Sequence, residues 1–358
     1  MLLTRVTRCV LIMRRRLCQR LSLALSVAIL LSFYKSVQDI PQVILPHSLQ
    51  KRIGVSKTPP TVTVLIWWYP FGKKTNIRDC NTLFKISGCR LTTNRQLYPV
   101  SQAVIIHHRD LTGNGSQLPA ERRPSFQRWV WMNFESPTHS SGLEKLNGVF
   151  NWTVSYKRNA DIFIPYGYLY PKKRAGRRVV LPAKSKLVAW VISNWNEEHD
   201  RVKYYHQLSQ YVHIDVYGKY HNDLQNNNVV QTVSRYKFYL AFENSQHVDY
   251  ITEKLWRNAL MSAAVPIVLG PSRANYEQYI PPDSFIHVND FSNPKKLAEY
   301  LLFLDKNESR YQKYFDWKRL YSVHLTTFWE EPYCKVCQAV KSAKANYNTI
   351  SNLASWFQ

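Results

Sequence analysis

Apolar residues come along this chain in short, nearly unbroken runs. Thr61-Val-Thr-Val-Leu-Ile-Trp-Trp68 is β-branched and apolar, and Ala103 to His107, Trp129 to Met132 and Asp161 to Ile164 repeat the pattern. Such runs, bounded by polar residues, predict strands. Continuous rather than alternating apolarity predicts that both faces are covered, as in a parallel sheet. Beyond residue 186 two periods take turns. Leu187 to Ile192, Val212 to Val216, Tyr236 to Phe242, Val265 to Leu269 and Phe285 to Val288 read as strands. Asp200 to Tyr211, with Val202, Tyr205 and Leu208 on one face, and Thr252 to Ala263 read as helices. Strand and helix in turn, without an internal repeat, predict an α/β domain whose ligands bind beyond the carboxyl ends of the strands.

Three stretches break this pattern. Residues 172–186 carry Lys172, Lys173, Arg174, Arg177, Arg178, Lys184 and Lys186 and no acid, which predicts a solvated linker between one domain at 61–171 and another at 187–333. A share in binding a diphosphate is the rival reading of those cations. Residues 35–60 hold Pro41, Pro46, Pro59 and Pro60 with no sustained period and predict a stem. Residues 17–34 are rich in Leu, Ala, Val and Ile and uncharged apart from Arg20, whose guanidinium can snorkel to the interface, and predict a transmembrane signal anchor suited to a thin membrane. A cleaved signal peptide is the alternative, but no small-x-small cleavage site follows. Arginines 5, 8, 14, 15 and 16 precede the run, so residues 1–16 are expected to be a cytosolic basic tail and the rest lumenal.

The formal charge of +24 first suggests a polyanionic partner. Outside the tail and linker, however, it is dispersed, and no zinc finger, basic zipper or aromatic-interleaved RNA motif accompanies it, which argues against nucleic acid. Asn114, Asn151 and Asn307 head Asn-x-Ser/Thr triplets and are candidate glycosylation sites in a lumenal protein. Cys9 and Cys18 lie in or beside the anchor, leaving Cys80, Cys89, Cys334 and Cys337, an even number that suits disulfides in an oxidising compartment. Three pairings are open, and a zinc site is disfavoured because only Cys334 and Cys337 have short ligand spacing.

The densest chemistry lies in Phe238-Tyr-Leu-Ala-Phe-Glu-Asn-Ser-Gln-His-Val-Asp-Tyr-Ile-Thr-Glu-Lys-Leu-Trp-Arg-Asn-Ala-Leu260, a buried strand, a polar loop and a helix with Glu253 and Lys254 in its first turn. A helix N-terminus with an early lysine suits a diphosphate, and Glu253 can accept from sugar hydroxyls. The plainer reading is a capped amphipathic helix with a surface ion pair.

This segment, together with Trp129-Val-Trp-Met-Asn-Phe-Glu-Ser-Pro-Thr-His139 and Leu187-Val-Ala-Trp-Val-Ile-Ser-Asn-Trp-Asn196 running into Arg201-Val-Lys-Tyr-Tyr205, resembles the α1,3-fucosyltransferases, glycosyltransferase family 10, and most nearly the vertebrate enzymes that make Lewis x. The resemblance runs from about Val62 to the C-terminus. It implies a GT-B fold, two Rossmann-like domains facing a cleft, with the acceptor on 61–171 and GDP-fucose on 187–333. Glu135 is implied as the catalytic base. Tyr166, Val191, Ser193, Asn194, Arg201, Tyr239, Asn244, Tyr250, Glu253 and Lys254 are the implied donor contacts, with Arg201 and Lys254 offsetting the charge of departing GDP in place of a metal. No Asp-x-Asp occurs in the chain, so neither metal nor cofactor is expected. The implied disulfides are Cys80 to Cys334 and Cys89 to Cys337, which would tie residues 334–358 back to the first domain.

The implied reaction is inverting α1,3 transfer of fucose to N-acetyllactosamine glycans on glycoproteins or glycolipids, in a single-pass type II protein of the Golgi membrane. Acceptor contacts fall on Glu135, on Arg109 in His107-His108-Arg109-Asp110, where arginine goes with Galβ1,4GlcNAc acceptors, and on Lys73, where relatives often have a glutamine. Relatives also carry a cysteine pair at the positions of Ala189 and Tyr236. A homodimer is compatible with all of this. The rival function is a catalytically impaired lumenal protein of the same fold that binds a glycan or nucleotide.

Overall fold

The computed structural model describes residues 61–111, 117–176 and 179–358. The expected tail, anchor and stem, Asn114, Arg177 and Arg178 lie outside the described residues. No helix among the described residues is long and apolar enough to cross a membrane.

Two parallel sheets dominate. The first is built from β1 (Val62–Ile66), β2 (Cys89–Thr92), β3 (Ala103–His107), β4 (Arg128–Asn133), β5 (Trp152–Ser155) and β6 (Ile162–Phe163), in the order β2-β1-β3-β4-β5-β6. After β7 (Gly167–Pro171), the second is built from β8 (Lys186–Val191), β9 (Ile214–Tyr217), β10 (Tyr236–Phe242), β11 (Val265–Leu269) and β12 (Ile286–His287), in the order β12-β11-β10-β8-β9. In both sheets the first strand lies between the second and the third. The chain therefore reverses its winding between β1 and β3 and again between β8 and β10, and a crevice opens at the carboxyl ends there.

The apolar runs are buried on both faces, as their continuity predicts. Val188, Trp190, Phe238, Leu240, Phe242, Val265 and Ile267 pack under Val202 and Leu208 of the helix Asp200–Leu208 and Leu297, Leu301 and Leu304 of the helix Pro294–Asp305. Ala189, Tyr239, Ala241 and Val268 face the other way, onto Leu255, Trp256 and Ala259. Each Val, Leu, Ile or Phe among them, fully buried, stabilises by about 1.5 to 3 kcal/mol relative to exposure.

Differences from expectation have local causes. β2 and β5 are short and lie outside the apolar runs. β7 pairs antiparallel with β13 (Tyr321–Leu325), about 150 residues on, which no local pattern reveals. Gly167 in β7 is required by close approach: a Cβ there would lie 2.7 Å from the Trp256 ring and 2.8 Å from the His324 carbonyl. The helix expected over 252–263 is wound as a π-helix over Lys254–Met261. The chain's end returns to the first sheet. Cys80 bonds Cys334 and Cys89 bonds Cys337, and Tyr333, Val336, Leu353 and Phe357 complete the first core.

Candidate active site

β4 ends on Asn133, which organises the loop beyond it. Its buried amide oxygen accepts from the Glu135 backbone N–H at 3.1 Å, and its nitrogen donates to Ser140 Oγ at 2.8 Å. Ser140 Oγ in turn donates to the Ser136 carbonyl at 2.8 Å. Glu135 is thus carried by a short loop with its own hydrogen-bond frame. Its half-buried carboxylate makes no ion pair or side-chain hydrogen bond within the described residues. It lines a cavity of about 250 Å³ with Phe71, His107, Phe134, Tyr166, Phe328 and Trp329. An aromatic hollow with a single unpaired carboxylate can seat an apolar sugar face and take up a proton.

The second sheet presents its own polar cluster where β8 and β10 end. Glu243, 2% exposed, accepts from Thr252 N at 2.8 Å and meets Lys254 Nζ at 3.0 Å. Lys254 also reaches Thr252 Oγ1 at 2.8 Å and Glu253 at 3.2 Å. Burial raises the Glu243 pKa against the pull of Lys254. Burial alone would lower Lys254, but Glu243 and Glu253 outweigh it and hold the ammonium above its ordinary range. Arg201, 4% exposed, donates to the Asn194 carbonyl at 2.6 Å, and its Nε has no hydrogen-bond partner among the described residues. Burial lowers its pKa, opposed by Glu243.

A buried carboxylate that the sequence reading did not single out, Glu243, already holds Lys254. Its position was not evident because strand-end depth is set by the sheet, not by neighbouring residues.

The other implied donor contacts divide by depth. Ser193 and Asn194 line a second cavity of about 360 Å³ with Trp195, Lys219, Tyr220 and His221. Val191 is half-buried at the end of β8, and Asn244 is half-buried just after β10. Tyr239 is fully buried, accepts from Asn258 Nδ2 at 3.0 Å, and burial pushes its hydroxyl up to about 12. Tyr166 donates to the Phe134 carbonyl at 2.6 Å. Burial first, and then Glu135 from one half and Glu243 and Glu253 from the other, raise both Tyr166 and Tyr250. The two halves therefore converge electrostatically on these phenols.

Lys73 and Arg109 are exposed and do not line the Glu135 cavity. They flank it: Lys73 follows Phe71, and Arg109 sits on the helix His108–Leu111. His107 Nδ1 lies 2.8 Å from Asp110, which also accepts from the Phe71 N–H at 3.3 Å, and His108 accepts from Trp131 Nε1 at 3.3 Å. The histidine pair is a hydrogen-bonded turn. Among the described residues no three of His, Cys, Asp and Glu come together as a metal site.

Two further positions that the sequence marks are engaged by the fold. Asn151 is 7% exposed, and its amide nitrogen donates to the Tyr347 carbonyl at 2.7 Å while its oxygen accepts from Trp129 N at 2.8 Å. The Asn151 nitrogen is thus engaged in the folded protein, whereas Asn307 uses only its oxygen, to cap a helix at Arg310 N. Ala189 pairs with Tyr239 and Tyr236 with Lys186, an offset of three residues. That is roughly 10 Å along parallel strands, beyond the reach of a disulfide. Tyr236 instead donates to Asp215 at 2.7 Å.

Two family models match the chain: "Fucosyltransferase, N-terminal" over residues 59–167 and "Glycosyltransferase family 10 (fucosyltransferase) C-term" over 181–356. Alpha-(1,3)-fucosyltransferase 4 of Homo sapiens is 49% identical over 348 residues, covering 85% of this chain and 66% of that protein, so the chain spans just under two thirds of that relative. The Bos taurus form is 50% identical and 87% covered. The Mus musculus 4-galactosyl-N-acetylglucosaminide 3-alpha-L-fucosyltransferase 9 is 49% identical over 296 residues, 82% of each chain. A crystal structure of an α1,3-fucosyltransferase with GDP-fucose superposes with a TM-score of 0.53 at 20% identity, covering 82% of this chain and 94% of that one.

Proposed function

Because the chain belongs to glycosyltransferase family 10, the fucosyltransferases, we propose that it is an inverting α1,3-fucosyltransferase, moving L-fucose from GDP-β-L-fucose to O3 of GlcNAc in Galβ1,4GlcNAc-terminated glycans. The observation that carries this reading is the unpaired Glu135 carboxylate in an aromatic cavity at the carboxyl end of the first sheet. The names of the relatives supply the sugar and the linkage.

Glu135 takes the proton from O3 as that oxygen bonds the fucose anomeric carbon. The bond from that carbon to the β-phosphate oxygen breaks on the opposite face, and its electron pair leaves with GDP. A β-linked donor gives an α-linked product, the Lewis x structure. Holding both partners in line and stabilising charge on the leaving group provide most of the rate, and base assistance adds about 10² to 10⁴.

Arg201 is the cation best placed to meet the diphosphate, since its Nε has no hydrogen-bond partner among the described residues, while the Glu243 pair fixes Lys254. Glu253 is left to accept from fucose hydroxyls, and the hollow at Ser193, Asn194, Lys219 and Tyr220 suits the nucleoside. The reaction needs no divalent ion in this reading. We assign the protein to the Golgi membrane with a single-pass type II orientation, on the strength of the arginine-rich start and apolar run at residues 17–34.

Incubation with GDP-fucose and an array of glycans tests the reading, run with and without EDTA. We expect fucose on type 2 chains in both conditions. No transfer to any glycan overturns the activity, and loss in EDTA with recovery on manganese overturns the metal-free part.

A further inference from the structure

The base and the leaving-group cluster sit on different halves of the chain: Glu135 follows β4 in the first sheet, whereas Arg201 and Lys254 follow β8 and β10 in the second. In-line displacement requires these halves to agree closely at the reacting atoms. Two side-chain contacts join the Glu135 loop to the loop after β10. Thr138 Oγ1 meets His247 Nε2 at 2.7 Å in an exposed position. Ser245 Oγ donates to Ser136 Oγ at 2.7 Å, and Ser136 is fully buried. The contact at Ser136 is the more constraining, because it is shielded from water on the Ser136 side and a shielded hydrogen bond is electrostatically stronger.

Ser136 is the residue next to the base. Its hydroxyl also meets His139 Nδ1 at 3.0 Å and its carbonyl accepts from Ser140 at 2.8 Å, so it anchors the whole turn from Glu135 to Ser140. On the far side, Asn244 Oδ1 lies 3.2 Å from the same Ser245 hydroxyl. One proton cannot serve both acceptors. A ligand that takes up the Asn244 amide removes the competitor and leaves the Ser245 proton to Ser136.

We propose that Ser245 is a positioning residue for the base, setting Glu135 from the donor-binding half through the Ser136 hydroxyl. The inference rests on the fucosyl-transfer reading above and adds to it how the two halves are held in register at the reacting centre.

Steady-state kinetics with GDP-fucose and N-acetyllactosamine, beside calorimetry with GDP, test it on Ser245→Ala, Ser245→Thr, Ser136→Ala and the double alanine variant. We expect kcat to fall about 10- to 100-fold in each alanine variant while both KM values and GDP affinity stay within about twofold. Threonine at 245 should restore most of kcat, and the double variant should lose no more than either single one. Wild-type kcat in Ser245→Ala overturns the proposal. So does a loss carried by a raised donor KM, which would make Ser245 a donor contact, or losses that multiply in the double variant. A wild-type protein that moves no fucose overturns the functional reading itself, and this proposal with it.

Discussion

Lys254 holds its ammonium 3.0 Å from the carboxylate of Glu243, which is itself out of contact with water. This pair settles how the charge at the second sheet is organised. Arg201 and Lys254 are balanced by buried Glu243 and by the more exposed Glu253, so the two cations can stay in place before any anion arrives.

Removing Lys254 alone therefore has two effects. Lys254→Ala leaves Glu243 buried and unpaired, which should cost about 3 to 5 kcal/mol of stability in addition to weakening GDP binding. The double variant Glu243→Gln, Lys254→Met should regain most of that stability without regaining GDP affinity. Denaturant unfolding and calorimetry separate the two; equal stability in the wild type and Lys254→Ala would refute the pairing.

His108 gives the protein a pH dependence. The ring is 1% exposed and accepts from Trp131, and burial, with His107 and Arg109 nearby, lowers its pKa to about 4. Unfolded, it titrates near 6.5. Between these values the unfolded chain binds a proton that the folded one refuses, so stability is fully present above about pH 6.5 and falls as pH drops toward 4, by up to about 3 kcal/mol. The difference between unfolding curves of the wild type and His108→Asn should show this slope. Parallel curves across that window would mean that His108 is not held neutral.

The disulfides close loops of 254 and 248 residues. The first to form should stabilise by about 5.5 kcal/mol in the chain-entropy model, and the second, which then closes only the short loop between the two bridges, by less. Non-reducing peptide mapping should recover Cys80 with Cys334 and Cys89 with Cys337, and replacing either pair by serine should lower the unfolding midpoint. Free thiols at these positions would contradict the linkage.

Arg109 is exposed beside Asp110, whose carboxylate joins His107 to the Phe71 backbone, and both of those residues line the Glu135 cavity. A planar cation and an indole present different faces to a sugar entering there. Arg109→Trp should raise use of Galβ1,3GlcNAc relative to Galβ1,4GlcNAc. Equal use of both by the wild type would remove Arg109 as selector.

The strands of both sheets could be read from the sequence because burial on two faces makes them apolar end to end, as in Phe238 to Phe242. Strands without that signature could not: Arg90 interrupts β2, and β7 finds β13 only through tertiary contact. Glu135, Arg201 and Lys254 stood out because they lie in long distinctive motifs. Glu243 lies in the same motif, yet what matters about it is depth, which the sheet determines. Ser245 and the Phe328-Trp329 wall act across folded distance and carry no local signal. Asn151 shows the converse, a correct local triplet whose amide the fold has already engaged.

Glu135→Gln tests the proposed base with least disturbance, since the amide keeps the shape of the carboxylate but cannot take up the acceptor proton. GDP affinity by calorimetry should stay within about twofold while fucose transfer to N-acetyllactosamine falls by about 10² to 10⁴. Transfer near the wild-type rate in a variant that binds GDP normally would rule out Glu135 as the base.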